Sequence, residues 1–234
     1  MSQLGILKHY TQTTFLDIDH PGHNNAFEVN SHSSLAILHN DDAVLERHHA
    51  RTTFLVLQNE NCNIFHNLTR HEFIGTRKLI IRAILSTDMQ NHFTHIRTID
   101  NLAQMDLATL TDEDKQSFID VIVHSSDLSG QVVSQAFALK WGDRIVEEFT
   151  NQVIKEERLS LPVLPFMKDL ETATQCAKMQ LSFCTYVLLP LWKALRNLIP
   201  ETAICLRNLE SNMSYYRIES NPIEQSADIS IGED

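Results

Sequence analysis

Nine residues from Asp17 to Asn25 read Asp-Ile-Asp-His-Pro-Gly-His-Asn-Asn and gather the chain's most chemically suggestive side chains. Two carboxylates, Asp17 and Asp19, and the imidazole of His20 lie within four positions, and Pro21-Gly22 turns the backbone directly afterwards. Such a group at the edge of a helix suits a metal ion: carboxylate oxygens match Mg²⁺ or Mn²⁺, and carboxylate mixed with imidazole matches Zn²⁺. The same residue types also build an ordinary solvated loop, and taken alone the nine residues favour the loop slightly.

The elements that must position these groups are helical. Only six glycines and six prolines occur in 234 residues, alternation of apolar and polar residues never persists, and a helical period recurs throughout, so the fold class expected is all-α. A helix is expected from about 43 to 57, with Val44, Leu45, Phe54, Leu55 and Leu57 inward. Thr69-Arg70-His71-Glu72 is a capping box that opens a second, carrying Phe73, Ile74, Ile80, Ile81, Ile84 and Leu85. Further helices are expected over 89–105 and from Thr111, the latter delivering His124-Ser125-Ser126-Asp127 at its end. Phe137, Trp141, Ile145 and Phe149 recur every four residues, which reads as a core stripe. A long helix over about 170–189 is expected to kink or stop at Pro190, and another to run from Pro200 to about 218.

A hydrophobic content of 43% can build a core, and one domain is expected. With 30 acidic against 19 basic residues and no Lys/Arg cluster, the net charge of -11 argues against nucleic acid and anionic membrane surfaces as partners. Any anionic ligand must then be held by metal ions or hydrogen-bond donors. Cys62, Cys176, Cys184 and Cys205 form no Cys-x-x-Cys pair and read as reduced core residues of an intracellular protein. Neither a signal peptide nor a membrane-spanning segment is legible.

Six ordered stretches together carry a resemblance. They are Asp17-Ile-Asp-His-Pro-Gly with Asn24-Asn25; Asn40-Asp41-Asp42-Ala43-Val44-Leu45-Glu46-Arg47-His48-His49; Leu85-Ser86-Thr87-Asp88-Met89 with His92; His124 to Ser129; Trp141 with Asp143 to Phe149; and Gln180-Leu181-Ser182-Phe183. In this order they resemble the catalytic domain of class I cyclic-nucleotide phosphodiesterases, from about Leu16 to Ile218. The resemblance implies a compact multi-helix fold of the histidine-aspartate (HD) type, with 1–15 as an uncertain lead-in, 16–218 as the domain and 219–234 as an acidic disordered tail.

It also implies a chemistry: metal-dependent hydrolysis of cyclic AMP or cyclic GMP to the 5′ monophosphate, with Zn²⁺ and Mg²⁺ (or Mn²⁺) as cofactors. By the same resemblance Asp17 and Asp127 are metal ligands, Thr87 reaches a metal through water, and His20 and Glu46 orient the ligands and hydroxide. Gln180 holds the base between Phe183 and Ile145, and Asn25 is a pocket hydrogen-bonder. Taken singly, each of these has a plainer reading as a cap, a turn, a solvated amide or core packing.

The departures are equally specific. The family's His-Asn-x-x-His-Ala motif, source of its general acid and of one metal imidazole, is absent, and the chain is expected to lack the first helices. Leu16 stands where the family has a second metal-binding histidine. His9 lies in surroundings unlike the motif and is not expected to substitute. Hydrolysis is therefore expected to be impaired; the alternative is a non-catalytic nucleotide-binding or regulatory protein. A second copy or a partner is expected to cover the flank left by the missing helices.

Overall fold

The structure, a computed structural model, describes residues 16–221, and these form helices and connecting turns with no strand among them. They fall into two compact units, one ending at Asp127 and one beginning at Leu128. His9, the lead-in and most of the expected tail lie outside the described residues.

In the first unit the order is α1 (Asn25–Asn30), α2 (Ser34–His39), α3 (Val44–Val56), α4 (Arg70–Leu85), α5 (His92–Leu102) and α6 (Asp112–Asp127). Helix α3 packs against α1, α2 and α4, and α6 packs against α4 and α5. Their common core is Ala50, Phe54, Leu57, Phe65, Ile80, Ala83, Ile84 and Val123, joined by Leu16 from the opening loop. Two expected inner residues are not inside: Leu55 and Ile74 face solvent. Leu55 is turned about 100° around its helix from the buried Phe54, and Ile74 about 100° from the half-buried Phe73, so both leave the inner stripe.

Local chemistry explains where these helices start. Thr69 accepts a hydrogen bond from the Glu72 backbone N–H (3.3 Å), while the Glu72 carboxylate accepts one from the Thr69 N–H (2.9 Å), which is the capping box expected. Thr111 and Asp114 repeat the exchange before α6, whose first turn also holds Asp112 and Glu113 against the positive end of the helix dipole. Ahead of α3 the backbone is held left-handed at Asn40, Asp41 and Ala43. Asn and Asp tolerate this conformation; Ala43 has no such excuse, so the turn that delivers Glu46 is strained.

The second unit runs through α7 (Gln135–Arg158), α8 (Ala173–Phe183), a π turn (Cys184–Leu188), α9 (Leu189–Leu198) and α10 (Ala203–Ser220). Helix α10 packs on α7, α8 and α9. Thr172 and Gln175 form a second capping box, which starts α8. Pro190 does not stop the helical path. The π turn before it takes up the register that a proline inside an α-helix would break, and the path continues to Leu198.

The apolar stripe of α7 is not a core stripe. Phe137, Trp141 and Ile145 are 60%, 49% and 36% exposed, and the buried face is Ala138, Gly142, Gln152 and Glu156. Small residues there let α8 and α10 approach closely, so the bulky side chains point outward. The four cysteines are free as expected, although only Cys184 is buried; Cys62 is exposed and Cys176 and Cys205 are half-buried. No helix among the described residues is long and apolar enough to cross a membrane.

Candidate functional site

The opening loop is strapped to α3 by two adjacent histidines. His49, 2% exposed, places Nδ1 2.8 Å from the Ile18 carbonyl, so that nitrogen carries the hydrogen and donates. Its Nε2 then turns a lone pair toward Asp17, 3.9 Å from a carboxylate oxygen. Burial, the largest influence, holds the His49 imidazole below its ordinary pKa, so it stays neutral. His48 lies 2.9 Å from the Asp19 carboxylate through Nε2, and Asp19 itself is left-handed (φ 61°). His20 accepts a hydrogen bond from the Gly22 N–H at Nδ1 (3.0 Å) and stacks on His49.

Asn25, at the start of α1, spends its whole amide on α3. Its Nδ2 donates to both oxygens of Glu46 (3.0 and 3.3 Å), and its Oδ1 accepts from the Leu45 N–H (2.9 Å). Glu46 is nearly buried, and burial raises its pKa against the lowering effect of Asn25. Thr87 is buried and donates its hydroxyl hydrogen to the Ile84 carbonyl (2.8 Å). Asp88, also buried, is close enough to Glu46 to raise its pKa further.

Asp127 ends α6, and its carboxyl is pushed up to about 7, first by desolvation and then by the Asp17 and Glu46 carboxylates. The residue nevertheless keeps a solvent-exposed face. With water on one side, repulsion among three acids is the firmer part of that explanation. Asp17, Glu46 and Asp127 thus converge electrostatically. Asp88 and His49 were not singled out beforehand; the His48-His49 pair and the Thr87-Asp88 pair were the available signals.

Behind this cluster lies a chain of buried imidazoles with fixed hydrogens. His124 Nδ1 meets the Ser86 carbonyl (3.1 Å) and must donate, so its Nε2 accepts from His92 Nδ1 (3.0 Å). His95 donates to the same Ser86 carbonyl through Nε2 (2.9 Å). His124 is fully buried, and its pKa falls to about 3 because of desolvation and the neighbouring His95 and His92.

The donor set does not fit zinc. Among the described residues no three His, Cys, Asp or Glu side chains form a metal-holding cluster. Leu16, beside Asp17, is 7% exposed and belongs to the apolar core, so this position contributes packing and no ligand. The acidic cluster itself is carboxylate, with His49 Nε2 the one imidazole nitrogen turned toward Asp17, and carboxylate suits a hard, water-rich ion such as Mg²⁺.

In the second unit Gln180 lies on α8 and is 4% exposed; Phe183, one turn further, is half-buried. Ile145 occupies α7 three residues after Gly142. A Cβ built on Gly142 would come within 3.3 Å of Gln180 Nε2 and of the Tyr216 hydroxyl. Gln180, Gly142 and Tyr216 line a cavity of about 130 Å³.

Residues 1–209 match the family described as 3′5′-cyclic nucleotide phosphodiesterase. The chain belongs to that family. It is 34% identical over 216 residues to the 3′,5′-cyclic-AMP phosphodiesterase 4C of Mus musculus, covering 88% of this chain and 31% of that protein. It is 32% identical over 197 residues to the 3′,5′-cyclic-nucleotide phosphodiesterase regA of Dictyostelium discoideum, covering 84% and 25%. The chain therefore spans about a third or less of the length of these two phosphodiesterases. The crystal structure of the phosphodiesterase domain of the RhoPDE fusion protein from the choanoflagellate Salpingoeca rosetta superposes with a TM-score of 0.91 at 29% identity, covering 96% of this chain and 72% of that one. The all-α phosphodiesterase fold expected from the six motifs is the fold observed.

Proposed function

We propose that the protein is a cyclic-nucleotide phosphodiesterase by descent, which recognises the purine of cyclic AMP or cyclic GMP and whose hydrolysis to the 5′ monophosphate is impaired. The observation that carries this reading is the contrast between two adjacent residues: Asp17 faces an acidic cluster, while Leu16 is turned into the core.

In the first unit Asp17 and Asp127 would hold Mg²⁺ or Mn²⁺, with Glu46 and His20 orienting the polar groups around them. Such an ion, when bound, would neutralise the phosphate oxygens as a Lewis acid. Zn²⁺ has too few nitrogen donors here to be held well. Thr87 keeps its oxygen lone pairs for a water, because its hydrogen is committed to Ile84. Asn25 acts through Glu46: its two donors oppose the rise that burial gives that carboxylate's pKa, and aim it. In the second unit the Gln180 amide, a donor and an acceptor on one rotor, suits a purine edge, with Phe183 and Ile145 against its faces.

The same Leu16 favours a second reading, in which nucleotide is bound and never hydrolysed. One set of assays separates the two. The purified chain is tested for cyclic AMP and cyclic GMP hydrolysis with Mg²⁺ or Mn²⁺, alongside Asp127→Ala, and for nucleotide binding by calorimetry alongside Gln180→Ala. Slow turnover lost in Asp127→Ala supports the enzyme; binding without turnover, lost in Gln180→Ala, supports the non-catalytic protein. An intracellular location, in keeping with four free cysteines, belongs to this reading, as does a second copy or partner covering apolar surface such as Phe137 and Trp141. Light scattering tests the second copy.

A further inference from the structure

The last carbonyls of an α-helix have no partner within it, and an enclosed helix end must find donors elsewhere. Helix α4 ends at Leu85 with Ser86 as its cap, and Ser86, Thr87 and Asp88 are all buried. Ser86 gives its hydroxyl hydrogen to the Ala83 carbonyl (2.7 Å), while Thr87 serves the Ile84 carbonyl with its N–H (3.1 Å) and its hydroxyl (2.8 Å). The Ser86 carbonyl is met by two imidazoles from two other helices, His95 of α5 at 2.9 Å and His124 of α6 at 3.1 Å.

A carbonyl oxygen has two lone pairs, and here both are filled. One donor would satisfy the helix end; two, from different helices, also fix the plane of the 86–87 peptide against α5 and α6. His124 cannot release its share by changing tautomer. It is fully buried, and His92 donates to its other nitrogen at 3.0 Å, so Nδ1 is the nitrogen that carries the hydrogen. The peptide fixed in this way leads directly into Thr87, whose hydroxyl hydrogen is committed to Ile84 and whose lone pairs remain for a water. Asp127 lies three residues beyond His124 on α6, and positions three apart share a helix face. One hydrogen bond therefore ties the turn bearing Thr87 to the helix that delivers Asp127.

We propose that His95 and His124 are positioning residues for the ion site of the first unit: by clamping the Ser86 carbonyl they set the Thr87 hydroxyl, and the water it would hold, at a fixed reach from Asp127. Neither imidazole touches the ion or the nucleotide; both act through Thr87. Loosening the clamp would leave the helices in place and the hydroxyl off its mark. The inference rests on the reading of Asp127 and Thr87 as groups that serve Mg²⁺ or Mn²⁺. Groups that orient the surroundings of an ion are worth about 10- to 100-fold in its affinity, and the lower figure suits a contact made through water.

The test is the Mn²⁺ affinity of the full chain, read by electron paramagnetic resonance, with thermal unfolding as a check on folding. Asp127→Ala identifies the binding that belongs to the site, and Thr87→Val is expected to weaken it about tenfold. A side-chain amide reaches where Nδ1 does when it is asparagine and where Nε2 does when it is glutamine. His95 donates from Nε2, so Gln should rescue it and Asn should not; His124 donates from Nδ1, so Asn should rescue it and Gln should not. The rescued variants are expected within about threefold of the parent and the others about tenfold weaker. A general loss of packing would not produce opposite preferences at the two positions. In the double variant Thr87→Val/His95→Asn the loss should be no greater than in Thr87→Val alone, because the imidazole acts through the hydroxyl. Folded His95→Asn and His124→Gln proteins within roughly twofold of the parent, or losses that add in the double variant, overturn the inference and leave the site reading intact. Mn²⁺ binding that is unchanged in Asp127→Ala, or in Thr87→Val, overturns the site reading and the inference with it.

Discussion

Replacing Leu16 by histidine asks whether one substitution can place a metal-binding imidazole beside Asp17. Leu16 is 7% exposed within a core that includes Ala50, Phe54, Phe65 and Val123. Removing a buried leucine forfeits about 1.5–3 kcal/mol of transfer free energy. An imidazole in its place finds only carbon neighbours, and an unpartnered buried polar group costs about 1–3 kcal/mol more. The sum is roughly 2.5–6 kcal/mol, a large part of the 5–15 kcal/mol by which domains are stable. Urea unfolding of Leu16→His and Leu16→Ala beside the parent, with and without zinc, measures it. We expect both variants to lose several kcal/mol and zinc to restore less than about 1 kcal/mol, because the new ring would trade the core for the ion. A functional site occupied at a hundred times its dissociation constant would add about 2.7 kcal/mol. A Leu16→His protein within about 1 kcal/mol of the parent, or one stabilised by zinc to that extent, would refute the assignment of Leu16 to the core.

Three further outcomes follow from the same geometry. His124 is neutral when folded, with a pKa of about 3 against 6.5 unfolded, so the unfolded chain binds the extra proton and stability falls as pH drops from 6.5 toward 3, by roughly 1.4 kcal/mol per unit at the steepest; urea midpoints between pH 7 and 5 should slope less in His124→Asn. Asn25→Ala strips two donors from the buried Glu46 carboxylate and an acceptor from α3, and should cost about 1–3 kcal/mol and lower any cyclic-nucleotide turnover, whereas a loss under 0.5 kcal/mol would mean the amide is replaced by water. Asp127 has a raised folded pKa, so its contribution is full below 3.8 and is lost as pH rises toward 7; Asp127→Asn should therefore unfold at higher temperature than the parent at pH 8, with no gain at pH 4.

Much of the fold could be read from spacing. The Thr69 capping box and the acidic start of α6 were visible because a helix start depends on four or five consecutive residues. The stripe on α7 misled for a reason of the same kind. A period of four residues marks a face without saying whether that face is inside, and the inner face here consists of Ala138 and Gly142, which carry almost no hydropathic signal. The roles of His48 and His49 were not legible, since they depend on a loop 29 to 31 residues away in sequence. Gln180 stood out by its motif, but its buried nitrogen lies beside Gly142 and Tyr216, which no local pattern links to it.

The strap formed by His48 and His49 has a consequence for how this architecture tolerates change. In many ion sites the cation is the mortar, and the loop around it slackens when it leaves. Here the turn bearing Asp17 is tied to a helix by a carbonyl and a carboxylate, each gripped by an enclosed imidazole. Geometry and chemistry are thereby held by different bonds. The turn beside Asp17 therefore keeps its shape whichever side chain stands at position 16, because its anchors lie on α3.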